Sequence, residues 1–153
     1  MPTFASSDKQ VIQIRSPKER VAETLSSPDR IKELLADKLE RAETLDARTL
    51  HLVRKPIEEK GVRFRGDYVV RYEYNGDGRV SWDTVGTSNM RSRGEARLTS
   101  LADGSTSVEY SESIECDMEV NRLLAAVLRP IVERKIKSGV SDHLNRLKAS
   151  LER

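Results

Sequence analysis

The sequence holds one cysteine, Cys116, and two histidines, His51 and His143, in 153 residues. A single thiol excludes an intrachain disulfide. With no second thiolate and no histidine pair, the ligand spacing of a transition-metal site is missing as well, and no metal is expected. Aromatic residues amount to only 5% and the net charge to +2, so the overall balance gives no case for nucleic acid or an anionic membrane. Long apolar runs are lacking too. The longest, around Leu123 to Val132, is broken by Arg129 and Pro130, whereas a bilayer span needs about 20 apolar residues. No integral membrane segment is expected. The first eight residues lack the charged-then-apolar pattern of an export signal, which makes the cytoplasm the expected compartment. No nucleophile stands in an activating pattern, so no residue is put forward as catalytic and no cofactor is expected.

What is present is a folded chain with a heavily charged surface: 37% hydrophobic and 34% charged residues, at a length that fits one domain over 1–153. Residues 9–15 are rich in β-branched side chains and predict a first strand. Ser16-Pro17-Lys18-Glu19 then predicts a helix start, with Ser16 as cap, Pro17 at the first helical position and Glu19 as reciprocal partner. Ser27-Pro28-Asp29 repeats the signal for a second short helix carrying Ile31, Leu34 and Leu35. From about Lys38 the period becomes twofold. Strands are predicted over 38–46, 49–54, 58–74, 79–86, 89–101 and 105–116. Short turns such as Asn75-Gly76-Asp77-Gly78 and Asp103-Gly104 separate them, which implies an antiparallel meander.

The alternation is clearest in 62–74. Phe64, Gly66, Tyr68, Val70 and Tyr72 share one face; Arg63, Arg65, Asp67, Arg71 and Glu73 share the other. Segment 90–98 repeats the pattern, with Met90, Ser92, Gly94, Ala96 and Leu98 opposite Arg91, Arg93, Glu95 and Arg97. One face is therefore buried and one wet. The arginines point away from the aromatics, so the two cannot form a stacking surface for a nucleic-acid strand. The buried face must be covered by 118–152. There Leu124, Val127, Leu128 and Ile131, then Ile136, Val140, Leu144, Leu147 and Leu151, recur at helical spacing. Pro130 is expected to kink or divide this helix, and Gly139 to weaken it.

This element order resembles that of the START-like, birch-pollen-allergen-like superfamily. The helix starts at Ser16-Pro17 and Ser27-Pro28-Asp29 carry the resemblance, with Gly94-Glu95-Ala96-Arg97-Leu98, the stretch Asp103 to Tyr110 and the closing Leu147 to Glu152. The likeness is nearest to the coenzyme-Q-binding type and to the G-type component of carbon-monoxide dehydrogenase, in a group that also holds polyketide cyclases. It implies an α+β helix-grip fold, β-αα-ββββββ-α, in which a curved antiparallel sheet of about seven strands wraps one long C-terminal helix. It further implies a hydrophobic or amphipathic small-molecule partner, such as a lipid, quinone or polyketide-like ring, held between sheet and helix.

The inward faces supply the candidate binding residues: Phe64, Tyr68, Tyr72, Trp82, Val108 and Tyr110 from the sheet, and Leu124, Leu128 and Ile131 from the helix. Taken singly, each could as well fill an ordinary core. Glu112 joins them because parity with Val108, Tyr110 and Ile114 turns it inward, where a carboxyl group needs a partner. The simpler expectation is a bulge that turns it outward, or pairing to an arginine near the sheet rim. A cyclase- or dehydratase-like enzyme is the first alternative; Glu112 with a cavity tyrosine is the one acid–base pair available to it. An adaptor docking on a protein or membrane partner, through the outer arginines or the 123–132 segment, is the second, and a homodimer stays open. His51 is expected to face solvent, His143 to flank the apolar helix face, and Cys116 to be a passive small side chain.

Overall fold

The computed structural model describes residues 2–153. β1 (Thr3–Ile14) leads into two short helices, α1 (Lys18–Ser26) and α2 (Pro28–Leu34), and a 3-10 turn at Ala36–Lys38. Then follow β2 (Leu39–Asp46), β3 (Thr49–Arg54), β4 (Ile57–Glu59), β5 (Val62–Phe64), β6 (Asp67–Tyr74), β7 (Arg79–Val85), β8 (Met90–Ser100) and β9 (Thr106–Asp117). The chain closes with α3 (Arg122–Leu151), a helix of 30 residues. Seven strands make one antiparallel sheet in the order β1-β9-β8-β7-β6-β3-β2. This is the α+β helix-grip architecture: every strand turns its alternate apolar side chains toward the face that α3 covers. Among the described residues no helix is long and apolar enough to cross a membrane.

Four local expectations are corrected. The first strand begins at Thr3, six residues earlier than the β-branched run suggests, because Thr3 to Lys9 pair in register with Asp117 to Ser111. The 58–74 stretch is not one strand. Ile57–Glu59 and Val62–Phe64 form a separate two-stranded hairpin closed by Lys60 and Gly61, both at positive φ (51° and 79°), the geometry of a tight hairpin turn. At α1 the cap is Pro17 and no side chain bonds to the helix start. Glu19 instead accepts a hydrogen bond from the Tyr74 hydroxyl at 2.9 Å, tying the helix to β6. α2 does follow its signal, with Ser27 accepting from the Arg30 N–H.

The fourth correction concerns α3, which Pro130 does not divide: one helix runs from Arg122 to Leu151. Pro130 and Ala126 are both exposed, so the carbonyl that the proline leaves unpaired faces water rather than the core. The buried stripe is Ala125, Leu128, Val132, Ile136, Val140, Leu144, Leu147 and Leu151. Leu128 belongs to two helical stripes at once, because residues on either side of it at 3 and 4 positions are apolar. The fold buries the Val132 side. Val127 is left half-exposed and Leu123 is 81% exposed.

Candidate ligand cavity between the sheet and the C-terminal helix

The interior is solid at one end and hollow at the other. Val108 is fully buried opposite Leu98 and Ile12, in the same buried core as Ile14, Val21, Val80, Leu144 and Leu147. Toward the other end the sheet and the middle of α3 enclose a cavity of about 420 Å3. Its apolar walls include Leu52, Phe64, Val70 and Met90 from the sheet, with Leu128, Val132, Ile136 and Val140 from α3. The members of the lining that are themselves exposed, Lys38, Lys55, Ile57, Lys135, Ser138 and Gly139, mark the opening. The β4–β5 hairpin stands beside that opening and is joined to α3 by an ion pair between Glu59 and Lys135 at 3.0 Å.

A polar cluster occupies one wall. It begins with a glycine: a Cβ placed on Gly94 would lie 2.6 Å from Cζ2 of Trp82, so the bare backbone of β8 is what lets the indole lie flat across it. The indole Nε1 donates to the Ser92 hydroxyl at 3.2 Å, and that hydroxyl donates to Oε2 of Glu112. The Tyr110 hydroxyl donates to the other carboxyl oxygen at 2.8 Å. Tyr110 packs against Trp82 with ring centroids 5.1 Å apart and against His143 at 6.2 Å. Across the cavity Arg54 donates through Nε to the Tyr68 hydroxyl at 2.9 Å, with its guanidinium 5.9 Å from the Tyr68 ring centroid. The Tyr72 hydroxyl makes no hydrogen bond among the described residues.

The electrostatics follow from burial. Desolvation pushes the Tyr72 and Tyr110 phenols well above the ordinary tyrosine range, with Glu112 adding to the rise at Tyr110, so both remain neutral donors. The same burial raises the Cys116 thiol to about 11, which leaves it unreactive. It lowers His143 below the usual histidine value, the opposing pull of Glu112 being smaller. The Nδ1 atom of His143 is buried without a hydrogen-bond partner. Arg54 is held above the ordinary guanidinium value by the Tyr68 hydroxyl first, and by Glu112 farther off.

Of the ten candidate residues, Phe64, Tyr68, Tyr72, Trp82, Tyr110, Glu112 and Leu128 line the cavity. Val108, Leu124 and Ile131 do not. Val108 lies in the solid end, and the other two flank the buried stripe of α3, half-buried. Glu112 is inward, and the bulge that would have turned it out is absent: β9 pairs with β8 and with β1 without a break in register. Three polar residues of the site were not among the candidates. Arg54 shares the inward parity of Leu50 and Leu52, Ser92 lies in the inward set of β8, and His143 sits on the stripe Ile136, Val140, Leu147. Each signal was legible as spacing, but a charged or polar residue on an apolar stripe is more often read as its flank. His51 lies on the outer side, 2.7 Å from Asp67.

The outer sheet face is charge-mixed. Arg63, Arg65, Arg71, Arg91 and Arg97 each stand within ion-pair distance of a carboxyl group. An open depression of about 950 Å3 on this face is lined alternately by basic and acidic side chains, including Arg79, Arg93, Glu73 and Asp83. Its apolar members, Trp82 and Val85, stand among these charged groups.

The family model described as polyketide cyclase / dehydrase and lipid transport matches residues 7–152. A sequence comparison with curated proteins finds no match. Among solved structures, the chain is similar to a START superfamily protein from Mycobacterium smegmatis (TM-score 0.69, 12% identity, 95% of this chain and 97% of that one). It is similar to the Zhui aromatase/cyclase from Streptomyces sp. R1128 (0.69, 15%, 98% and 95%). It is also similar to truncated norcoclaurine synthase from Thalictrum flavum (0.64, 11%, 100% and 98%). At these identities the likeness is one of fold.

Proposed function

Because the chain belongs to the polyketide cyclase / dehydrase and lipid transport family, we propose that it binds a hydrophobic or amphipathic small molecule between the sheet and α3. The observation that carries this reading is the cavity of about 420 Å3, apolar along most of its walls and polar at one of them. An enclosed space of that size, with a few convergent donors, is the usual form of a small-molecule site. Apolar burial supplies affinity, at about 25 cal/mol per Å2 removed from water. Tyr68, Tyr72, Tyr110 and Glu112 supply orientation, as hydrogen-bonding groups that already stand on the cavity wall.

The chain's one tryptophan, Trp82, lies in that wall and reports on occupancy. Protein purified from its own host and passed through native mass spectrometry should carry a small-molecule adduct. Adding that molecule back to stripped protein should change Trp82 emission. Ile136→Trp, which fills the cavity from α3, should abolish the adduct while leaving the fold intact by circular dichroism. An adduct that persists in Ile136→Trp would place the ligand elsewhere.

One observation favours a second reading, an acid–base enzyme of the cyclase or dehydratase kind. The Glu112 carboxyl is held by the Tyr110 and Ser92 hydroxyls on the cavity wall. A candidate substrate whose turnover is lost in Glu112→Gln, with binding intact, would establish it; equal turnover in the variant would exclude it.

A further inference from the structure

Four cations and three acids line the cavity, and they differ in what holds them. Among the acids, Glu59 is paired with Lys135 at 3.0 Å and Asp142 with Arg146 at 2.7 Å. Glu112 already receives two hydroxyl donors. Among the cations, Lys135 is so paired, but Lys38, Lys55 and the terminal nitrogens of Arg54 have no hydrogen-bond or ion-pair partner among the described residues. The three acids are satisfied within the protein, and three of the four cations are not.

Position adds to this contrast. Lys38 and Lys55 are neighbours at the opening, joined by the Lys55 N–H donating to the Lys38 carbonyl at 3.0 Å. Arg54, one residue earlier, ends β3 and turns inward with Leu52 by strand alternation. The Tyr68 hydroxyl occupies Nε, which leaves the Nη1–Nη2 edge of this cavity-lining residue without a partner among the described residues. Such an edge offers two parallel N–H donors, the match for the two oxygens of a carboxylate. Tyr72, four residues along β6 from Tyr68 on the same face, adds a hydroxyl donor with no partner of its own.

Resting on the cavity-binding reading, we infer that the ligand is an amphiphile with one carboxylate, whose head is seated on the Nη edge of Arg54 and drawn to the opening by Lys38 and Lys55. A carboxylate fits this edge better than a phosphate dianion, because both of its oxygens are met by the two Nη donors, whereas a third phosphate oxygen would have no guanidinium donor left. The tail has the apolar walls of Leu52, Phe64, Val132 and Ile136. At an interior packing density of about 0.75, the cavity holds about 300 Å3 of ligand atoms, enough for a medium-length acyl chain.

The test compares dodecanoic acid with methyl dodecanoate by titration of Trp82 emission, at about pH 8 where the free acid is ionised. The acid should bind at least about tenfold more tightly than the ester, the increment of a charge-assisted pair. Arg54→Met should remove that preference, bringing acid and ester to equal affinity. Lys38→Glu with Lys55→Glu, both exposed at the opening, should slow association of the acid more than that of the ester, in a salt-dependent way. Equal affinity of acid and ester, or a preference that survives Arg54→Met, overturns the carboxylate assignment while leaving cavity binding standing. If neither compound binds, and Ile136→Trp has no effect on the host-derived adduct, both readings fall together.

Discussion

The Tyr110 hydroxyl donates to Oε1 of Glu112 at 2.8 Å from two positions along the same strand. Residues two apart on a strand face the same side, so this bond shows that β9 keeps its parity through Glu112 and places the carboxyl on the cavity wall. Tyr110→Phe leaves Glu112 with Ser92 alone. It should lower stability by about 1–2 kcal/mol, the net worth of such a bond, in urea unfolding. A loss within experimental error would mean that the bond is absent in solution.

Gly94 is required by the ring that lies on it. A Cβ there would overlap the Ser111 carbonyl oxygen and stand 2.6 Å from Cζ2 of Trp82, and the first of these is backbone that cannot move aside. Gly94→Ala should therefore destabilise by about 1–3 kcal/mol and shift Trp82 emission toward that of a more exposed indole. Unchanged emission and stability would contradict the close approach of β7 to β8.

Three leucines on α3 should rank by environment. Leu147, in the solid end and 0% exposed, should cost about 3–5 kcal/mol as alanine. Leu128, which lines the hollow end, should cost about 2 kcal/mol, because part of its surface already lacks neighbours. Leu123, 81% exposed, should change stability by less than about 0.5 kcal/mol. Thermal unfolding of the three variants measures the order. A Leu123→Ala loss equal to that of Leu128 would contradict the exposure of Leu123.

Stability should fall on the acid side in two separate ranges. Burial lowers the pKa of His143 in the folded chain, while the unfolded chain takes up its proton near the ordinary value of about 6.5. Stability is therefore full above that value and declines as pH drops through it toward the lower folded pKa. Asp37 and Asp117 are held at about 2, by Arg146 and by Arg91 respectively. Their contribution is present above the ordinary 3.8 and is lost as pH falls toward 2. Urea unfolding measured across pH should show both declines. His143→Gln should remove the upper one only, and Arg91→Met should reduce the lower one.

Much of the framework was legible as spacing. The alternation through Tyr68, Val70 and Tyr72 and through Met90 to Leu98 assigned the buried face of two strands correctly. The turns at Asn75 to Gly78 and Asp103-Gly104 divided the meander. The helix start at Ser27-Pro28 gave its own cap. The 57–64 hairpin was harder to see, because Lys60-Gly61 is a less distinctive turn pair than Asn-Gly and the flanking alternation continues across it. At Ser16 a good local cap was overridden when Glu19 found Tyr74, a partner 55 positions away.

What the residues alone determined is the class of fold and the sidedness of each strand, since both follow from periods of two and of 3.6 that need no knowledge of neighbours. What tertiary structure decided is where that fold is hollow. Val108 and Tyr110 obey the same parity on the same strand, yet one is packed on every side and the other faces open space. Which side of Leu128 is buried, and that Arg54, Ser92 and His143 join Glu112 around one cavity, depend on how α3 lies across the sheet. Periodicity reports the direction of a side chain; only the distance between opposing layers says whether anything is there to meet it.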